Sequence, residues 1–192
     1  MSIRSLVAAS LCWSAIAVGQ PSVAPKLYEV EDAYQIYSLL LPHEESYGFA
    51  KGELIIQQNT VQKHEALSSC LTVEAANKFT DAILDFNHLE HRSWLLQRKF
   101  EIAKPYIIVS SATINQLFRQ LPGGWDSFSK RYPDSGGYFT VSVVGFNKDK
   151  TQAIVYTGST CASLCGRWGF HLLEKIQGKW KEASGVTCSL VS

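Results

Sequence analysis

Hydrophobic and polar residues alternate most regularly after Tyr132. In Tyr138–Phe146, Phe139, Val141 and Val143 take turns with Thr140, Ser142 and Val144, the period of two expected of a strand with one better-buried face. Asn147-Lys148-Asp149-Lys150 marks a turn, and Ala153 and Val155, with Ile154 and Tyr156 beside them, carry the next run. A longer loop, Gly158–Arg167, leads to His171-Leu172-Leu173-Glu174-Lys175-Ile176. Gln177-Gly178 is then a two-residue hairpin signal before Trp180. The pattern predicts consecutive antiparallel strands over Gly137–Phe146, Thr151–Thr157, Trp168–Ile176 and Trp180–Val191.

Upstream the period changes to that of a helix. Val30, Ala33, Tyr34, Tyr37, Leu40 and Leu41 share one face, and Pro42 ends that helix because it lacks an N–H and disfavours helix before it. His43–Gly52 reads as a polar loop, and Glu53–Gln58 as a short strand around Leu54, Ile55 and Ile56. Thr72 can cap a second helix with an apolar stripe of Ala75, Phe79, Ala82, Ile83, Phe86 and Leu89. Trp94–Ala103 fits strand or helix. Tyr106–Ser110 is a β-branched run, followed by a helix through Ile114, Leu117, Phe118 and Leu121 that stops at Pro122-Gly123-Gly124. Trp125, Phe128 and Tyr132 mark a short last helix closed by Pro133. The expected fold is α+β: N-terminal helices packed on a C-terminal four-stranded antiparallel meander sheet.

The first residues change the picture of where this fold forms. Arg4, the apolar run Leu6–Val18 and the small residues Ala17-Val18-Gly19 have the layout of a secretory signal. The run is shorter than the twenty or so residues of a membrane span. Residues 1–19 are therefore expected to be removed, leaving residues 20–192 as one α+β domain, secreted or periplasmic, with no stable membrane anchor. Gln20–Lys26 reads as a flexible mature N-terminus. Losing Arg4 takes Lys+Arg from 18 to 17, against 17 Asp+Glu, so the mature chain is neutral. No basic patch points to nucleic acid. Hydrophobic residues make up 46% of the chain, enough for one well-buried core.

Cys12 leaves with the signal, and Cys70, Cys161, Cys165 and Cys188 remain. An even number in an exported domain reads as two disulfides among three possible pairings. Cys161–Cys165 with Cys70–Cys188 is the pairing expected. The spacing fits zinc ligation poorly, and no cofactor is indicated.

Trp125-x2-Phe128, Tyr132-Pro133-Asp134-Ser135-Gly136-Gly137, Gly145-Phe146-Asn147, Ala153-x-Val155-Tyr156, Leu164-Cys165-Gly166, Leu173-Glu174-Lys175 and Gly178-Lys179-Trp180 together resemble a family of uncharacterised exported bacterial proteins. The resemblance runs over roughly residues 106–192. It implies a bacterial origin and export, and it supplies no catalytic residues. Chains of that type often end in Trp-Val-Ser, where this one has Leu190-Val191-Ser192.

Few residue sets point to chemistry. Asp134-Ser135-Gly136-Gly137 looks like the nucleophile segment of chymotrypsin-like proteases, but Pro133 replaces the preceding glycine and no histidine segment stands upstream. It reads as a turn into the first meander strand. His88 and His91, with Asp85, are the weak candidate for a metal, without the spacing of a metalloprotease motif. The Gly158–Phe170 loop places Arg167 and Trp168 beside Cys161 and Cys165, a stiff platform suited to recognition. His171 is expected to point outward near it. Trp94, Trp125, Phe128, Tyr132 and Trp180 could line a sugar or lipid cleft, although aromatics at such spacings usually form core. The leading reading is a non-catalytic binding or interaction domain with Arg167, Trp168 and His171 as ligand-binding candidates and an envelope or extracellular ligand. The alternative is a small periplasmic or secreted hydrolase using His88, His91 or His171.

Overall fold

The computed structural model describes residues 25–42, 52–62, 70–119, 123–162, 165–183 and 188–191. The signal reading of residues 1–19 and most of the polar loop after Pro42 lie outside them. In chain order the elements are β1 (Lys26–Leu27), α1 (Glu31–Leu40), β2 (Leu54–Gln57), α2 (Val73–Lys78), α3 (Thr80–Leu89), β3 (Trp94–Leu95), β4 (Tyr106–Val109), α4 (Ser111–Arg119), α5 (Trp125–Arg131), β5 (Tyr138–Phe146), β6 (Gln152–Ala162), β7 (Cys165–Ile176), β8 (Lys179–Glu182) and β9 (Cys188–Val191).

The architecture is mixed α+β, and the sheet differs from the expected one. β5, β6, β7 and β8 do run antiparallel in sequence order, but β2 and β4 extend the sheet beyond β5 with parallel pairing, giving the order β4-β2-β5-β6-β7-β8. The result is a seven-stranded mixed sheet rather than a four-stranded meander. The helices are interspersed with β1–β4, so they do not form a separate N-terminal block. Of two short apolar runs, Leu54-Ile55-Ile56 is fully buried and Tyr106–Val109 is buried at its ends and half-buried at Ile107 and Ile108, which suits parallel strands.

The final predicted strand is two. β8 pairs with Leu173–Ile176 and β9 with Arg167–Phe170, so both lie in tandem along one edge of β7. The predicted Gly158–Arg167 loop is mostly strand, because β6 and β7 stay paired up to Ala162 and Cys165. Gln177 and Gly178 have φ of 51° and 78°, the two positive values of a type I′ turn. The long second helix is also broken. Thr72 Oγ1 accepts from the Ala75 N–H and caps α2, and the chain resets at Phe79, where φ is −106° and ψ is 18°.

Register divides the sheet faces. One carries Gly145, Ile154, Tyr156, Phe170 and Leu172 beneath α3, and Ile55 and Tyr138 beneath α4 and α5. Gly145 is required there: a Cβ would stand 2.3 Å from the Ala82 carbonyl oxygen and 2.4 Å from the Phe86 nitrogen. The opposite face meets α1. Asp32 in its first turn accepts from Lys175 Nζ at 2.5 Å and from Trp180 Nε1 at 3.1 Å, joining α1 to β7 and β8. Burial opposes ionisation of Asp32, but the hydrogen bonds from Lys175 and Trp180 and the charges of Lys175 and Lys150 outweigh it and hold the carboxyl below its ordinary range.

Tyrosines tie α1 and the segment before it to a bulge in β5. The register slips between Val141 and Val144, which leaves backbone groups without ladder partners. Tyr37 donates to the Ser142 carbonyl at 2.6 Å, Tyr28 accepts from the Val144 N–H at 2.9 Å, and Ser142 Oγ accepts from the Tyr156 N–H at 2.9 Å. Side chains thus satisfy what the bulge exposes.

Candidate functional site

The β6–β7 hairpin is closed at its tip by a Cys161–Cys165 disulfide with Cα atoms 5.2 Å apart. Cys70 is disulfide-bonded as well. Trp168 does not project from this hairpin. Its ring lies over Gly158 and Gly166, where an added Cβ would stand 2.5 Å from ring carbons, so the indole fills space that only glycines leave. Arg167 is half-buried and its backbone pairs with Val191 on β9.

His171 points inward, contrary to the outward orientation expected from alternation. Strands β6 to β8 place Thr157, His171 and Glu182 diagonally on one face, with His171 and Thr157 both buried. Glu182 Oε1 is 2.5 Å from His171 Nδ1, and His171 Nε2 is 2.8 Å from Thr157 Oγ1. A tautomer that donates from Nδ1 to Glu182 accepts the Thr157 hydroxyl at Nε2. The order carboxylate, imidazole, hydroxyl is that of a nucleophile-activating relay. Thr157 is only 1% exposed, which keeps that hydroxyl from a substrate.

The other sequence candidates do not assemble. His88 lies in α3 and His91 in the turn after it, both exposed. Asp85 Oδ2 instead accepts from the Phe146 N–H at 2.9 Å, holding α3 on β5. Among the described residues no three His, Cys, Asp or Glu side chains gather as a metal set. Ser135 Oγ donates to the Tyr132 carbonyl at 2.8 Å, as a turn serine does. Among the aromatics, Phe128 and Trp180 are buried in the core, while Trp94, Trp125 and Tyr132 are half-buried against it.

A cleft of about 270 Å³ opens where β2 and β4 begin and α5 ends, lined by Gly52, Glu53, Ile55, Pro105 and the segment 131–135. Ile55, on the sheet, is fully buried beneath it, and Tyr132 packs on Phe128 with ring centroids 5.1 Å apart. Gly52 abuts Asp134, since a Cβ there would come within 2.3 Å of the Asp134 carbonyl oxygen. Glu53, Arg131 and Asp134 bring both signs of charge to the lining. Among the described residues none of the three is ion-paired. Sequence reasoning read Asp134–Gly137 as a turn and named Tyr132 only among aromatics that could line a cleft. The partners across the cleft, Glu53 and Pro105, come from strand starts that are far apart in the chain.

The fold and site define a mixed α+β domain with a small two-signed cleft and a disulfide-closed hairpin. No family model, no curated protein and no solved structure matches the chain. Among the described residues no helix is long and apolar enough to cross a membrane.

Proposed function

We propose that this chain is an exported bacterial binding domain without catalysis, seating a small ligand in the cleft between the start of β2 and the α5–β5 turn. The observation that carries this reading is the cleft's charge arrangement: Glu53, Arg131 and Asp134 share one concavity without neutralising one another. Polar groups converging in a partly apolar hollow are what small-molecule sites use for orientation. The cleft offers a better seat than the hairpin tip, because Trp168 is engaged on its glycines. The disulfides favour an oxidising compartment. With Cys161 and Cys165 joined and Cys12 removed with the signal, Cys188 is the partner left for Cys70. A thermal-shift screen of the mature domain against amino acids, sugars, nucleotides and fatty acids tests the reading. A stabilising compound whose effect is lost in Arg131→Gln or Asp134→Asn supports it; stabilisation retained in the double variant moves the site elsewhere.

The Glu182–His171–Thr157 relay favours a second reading, a small hydrolase with His171 as base. Its burial ranks it below the first. Turnover of p-nitrophenyl esters that disappears in both His171→Ala and Thr157→Val would establish the relay as catalytic, and esterase activity absent from the wild type would remove it.

A further inference from the structure

Resting on the cleft reading, we infer that the ligand carries an ammonium and a carboxylate together, as a free amino acid does. Two carboxylates, Glu53 and Asp134, and one guanidinium, Arg131, line the site. No nitrogen–oxygen pair among them comes within ion-pair distance in the described structure. Opposite charges that face a common space without meeting are complementary to a molecule bearing both signs across that space. Charge-assisted hydrogen bonds are roughly twice as strong as neutral ones. A carboxylate therefore gains more from an ammonium than from a sugar hydroxyl, and an arginine fork gains most from a carboxylate. The remaining lining is Ile55, Pro105, Tyr132 and Pro133, an apolar wall for a side chain. Ser135, also in the lining, has its hydroxyl engaged as a donor to the Tyr132 carbonyl, which leaves it acceptor capacity only. The volume of about 270 Å³ lies below the range usual for drug-sized ligands. It suits one amino-acid unit.

Isothermal titration of the full mature chain with L-leucine, leucinamide, N-acetyl-leucine and glucose, each up to roughly 10 mM, decides the matter. Leucinamide keeps the ammonium and removes the carboxylate charge; N-acetyl-leucine does the reverse. The expected result is that L-leucine binds at least tenfold more tightly than either analogue, with glucose silent. Arg131→Gln should weaken L-leucine at least tenfold and leave leucinamide unchanged, whereas Asp134→Asn should weaken both. Both side chains are exposed, and circular dichroism checks that the variants fold. Glucose or leucinamide binding as tightly as L-leucine, and lost in Asp134→Asn, would overturn the ligand class while leaving the cleft as a site. L-Leucine binding undiminished in the Arg131→Gln, Asp134→Asn double variant would overturn the cleft itself. No heat from any probe would overturn the amino-acid assignment, and the wider thermal-shift screen then judges the cleft alone.

Discussion

Replacing Tyr28 with phenylalanine isolates one hydroxyl in the tyrosine clamp over the β5 bulge. Tyr28 is buried, and burial pushes its pKa far above the ordinary tyrosine value, so the group stays a neutral hydroxyl across the working pH range. That hydroxyl accepts the Val144 N–H at 2.9 Å, at the point where the β5–β6 register resumes after the slip. The ring packs against Tyr34 and Tyr37 with centroids 6.4 Å away in each case, and these contacts survive the substitution. What is lost is the acceptor, leaving a buried amide without its partner at a cost of about 1–3 kcal/mol. Taking about 2 kcal/mol, and the 2–4 °C per kcal/mol typical of a domain this size, Tm should fall by roughly 4–8 °C. Calorimetry on the oxidised protein gives the number, and amide hydrogen exchange gives the location, because Val144 should lose protection while residues 153–155 keep theirs. A Tm within about a degree of wild type, with Val144 still protected, would show that the bulge satisfies itself and that the tyrosines are only packing.

Asp32 supplies a pH test. Its carboxyl titrates below the ordinary value because of Lys175, Trp180 and Lys150, so its contribution to stability is present above the unfolded-chain pKa of about 3.9 and is lost as pH falls through the folded value. Urea midpoints in that acid window should decline more steeply for wild type than for Asp32→Asn, and parallel curves would contradict the account. Substituting Cys161 and Cys165 together by serine opens a bridge of sequence separation 4, which chain entropy values at about 2 kcal/mol; urea denaturation should register that loss without a change of fold by circular dichroism. Gly145→Ala drives a methyl into the α3 backbone at Ala82 and Phe86, and overpacking of this kind costs about 1–3 kcal/mol or more. Wild-type stability in that variant would mean α3 does not sit on β5 as described.

The meander was legible because its signals are local. Alternation through Phe139–Val144, the Asn147–Lys150 turn and Gln177-Gly178 each report on neighbours in the chain, and β5 to β8 pair with their neighbours. The parallel half was not, since Leu54–Gln57 and Tyr106–Val109 are short apolar runs whose shared edge depends on distant partners. The break at Phe79 was hidden for a different reason. Phe79 continues the apolar stripe into α3, and only its backbone angles depart from helix. The expected Cys161–Cys165 pair is present, a link between near neighbours in the chain. His171 defeated the alternation rule because its partners, Thr157 and Glu182, are diagonal neighbours fixed by register on two other strands. Of the cleft only Tyr132 was named, as an aromatic that could line one, for the site gathers residues 52, 53, 55, 105 and 131–135 from three separate parts of the chain.

The most direct test of the central claim is an amide chemical-shift titration of the isotope-labelled protein with L-leucine. The account predicts saturable shifts concentrated at Gly52, Glu53, Asp134 and Ser135, with the amides of Arg167–His171 still. Shifts confined to the β6–β7 hairpin, or none anywhere, would contradict it.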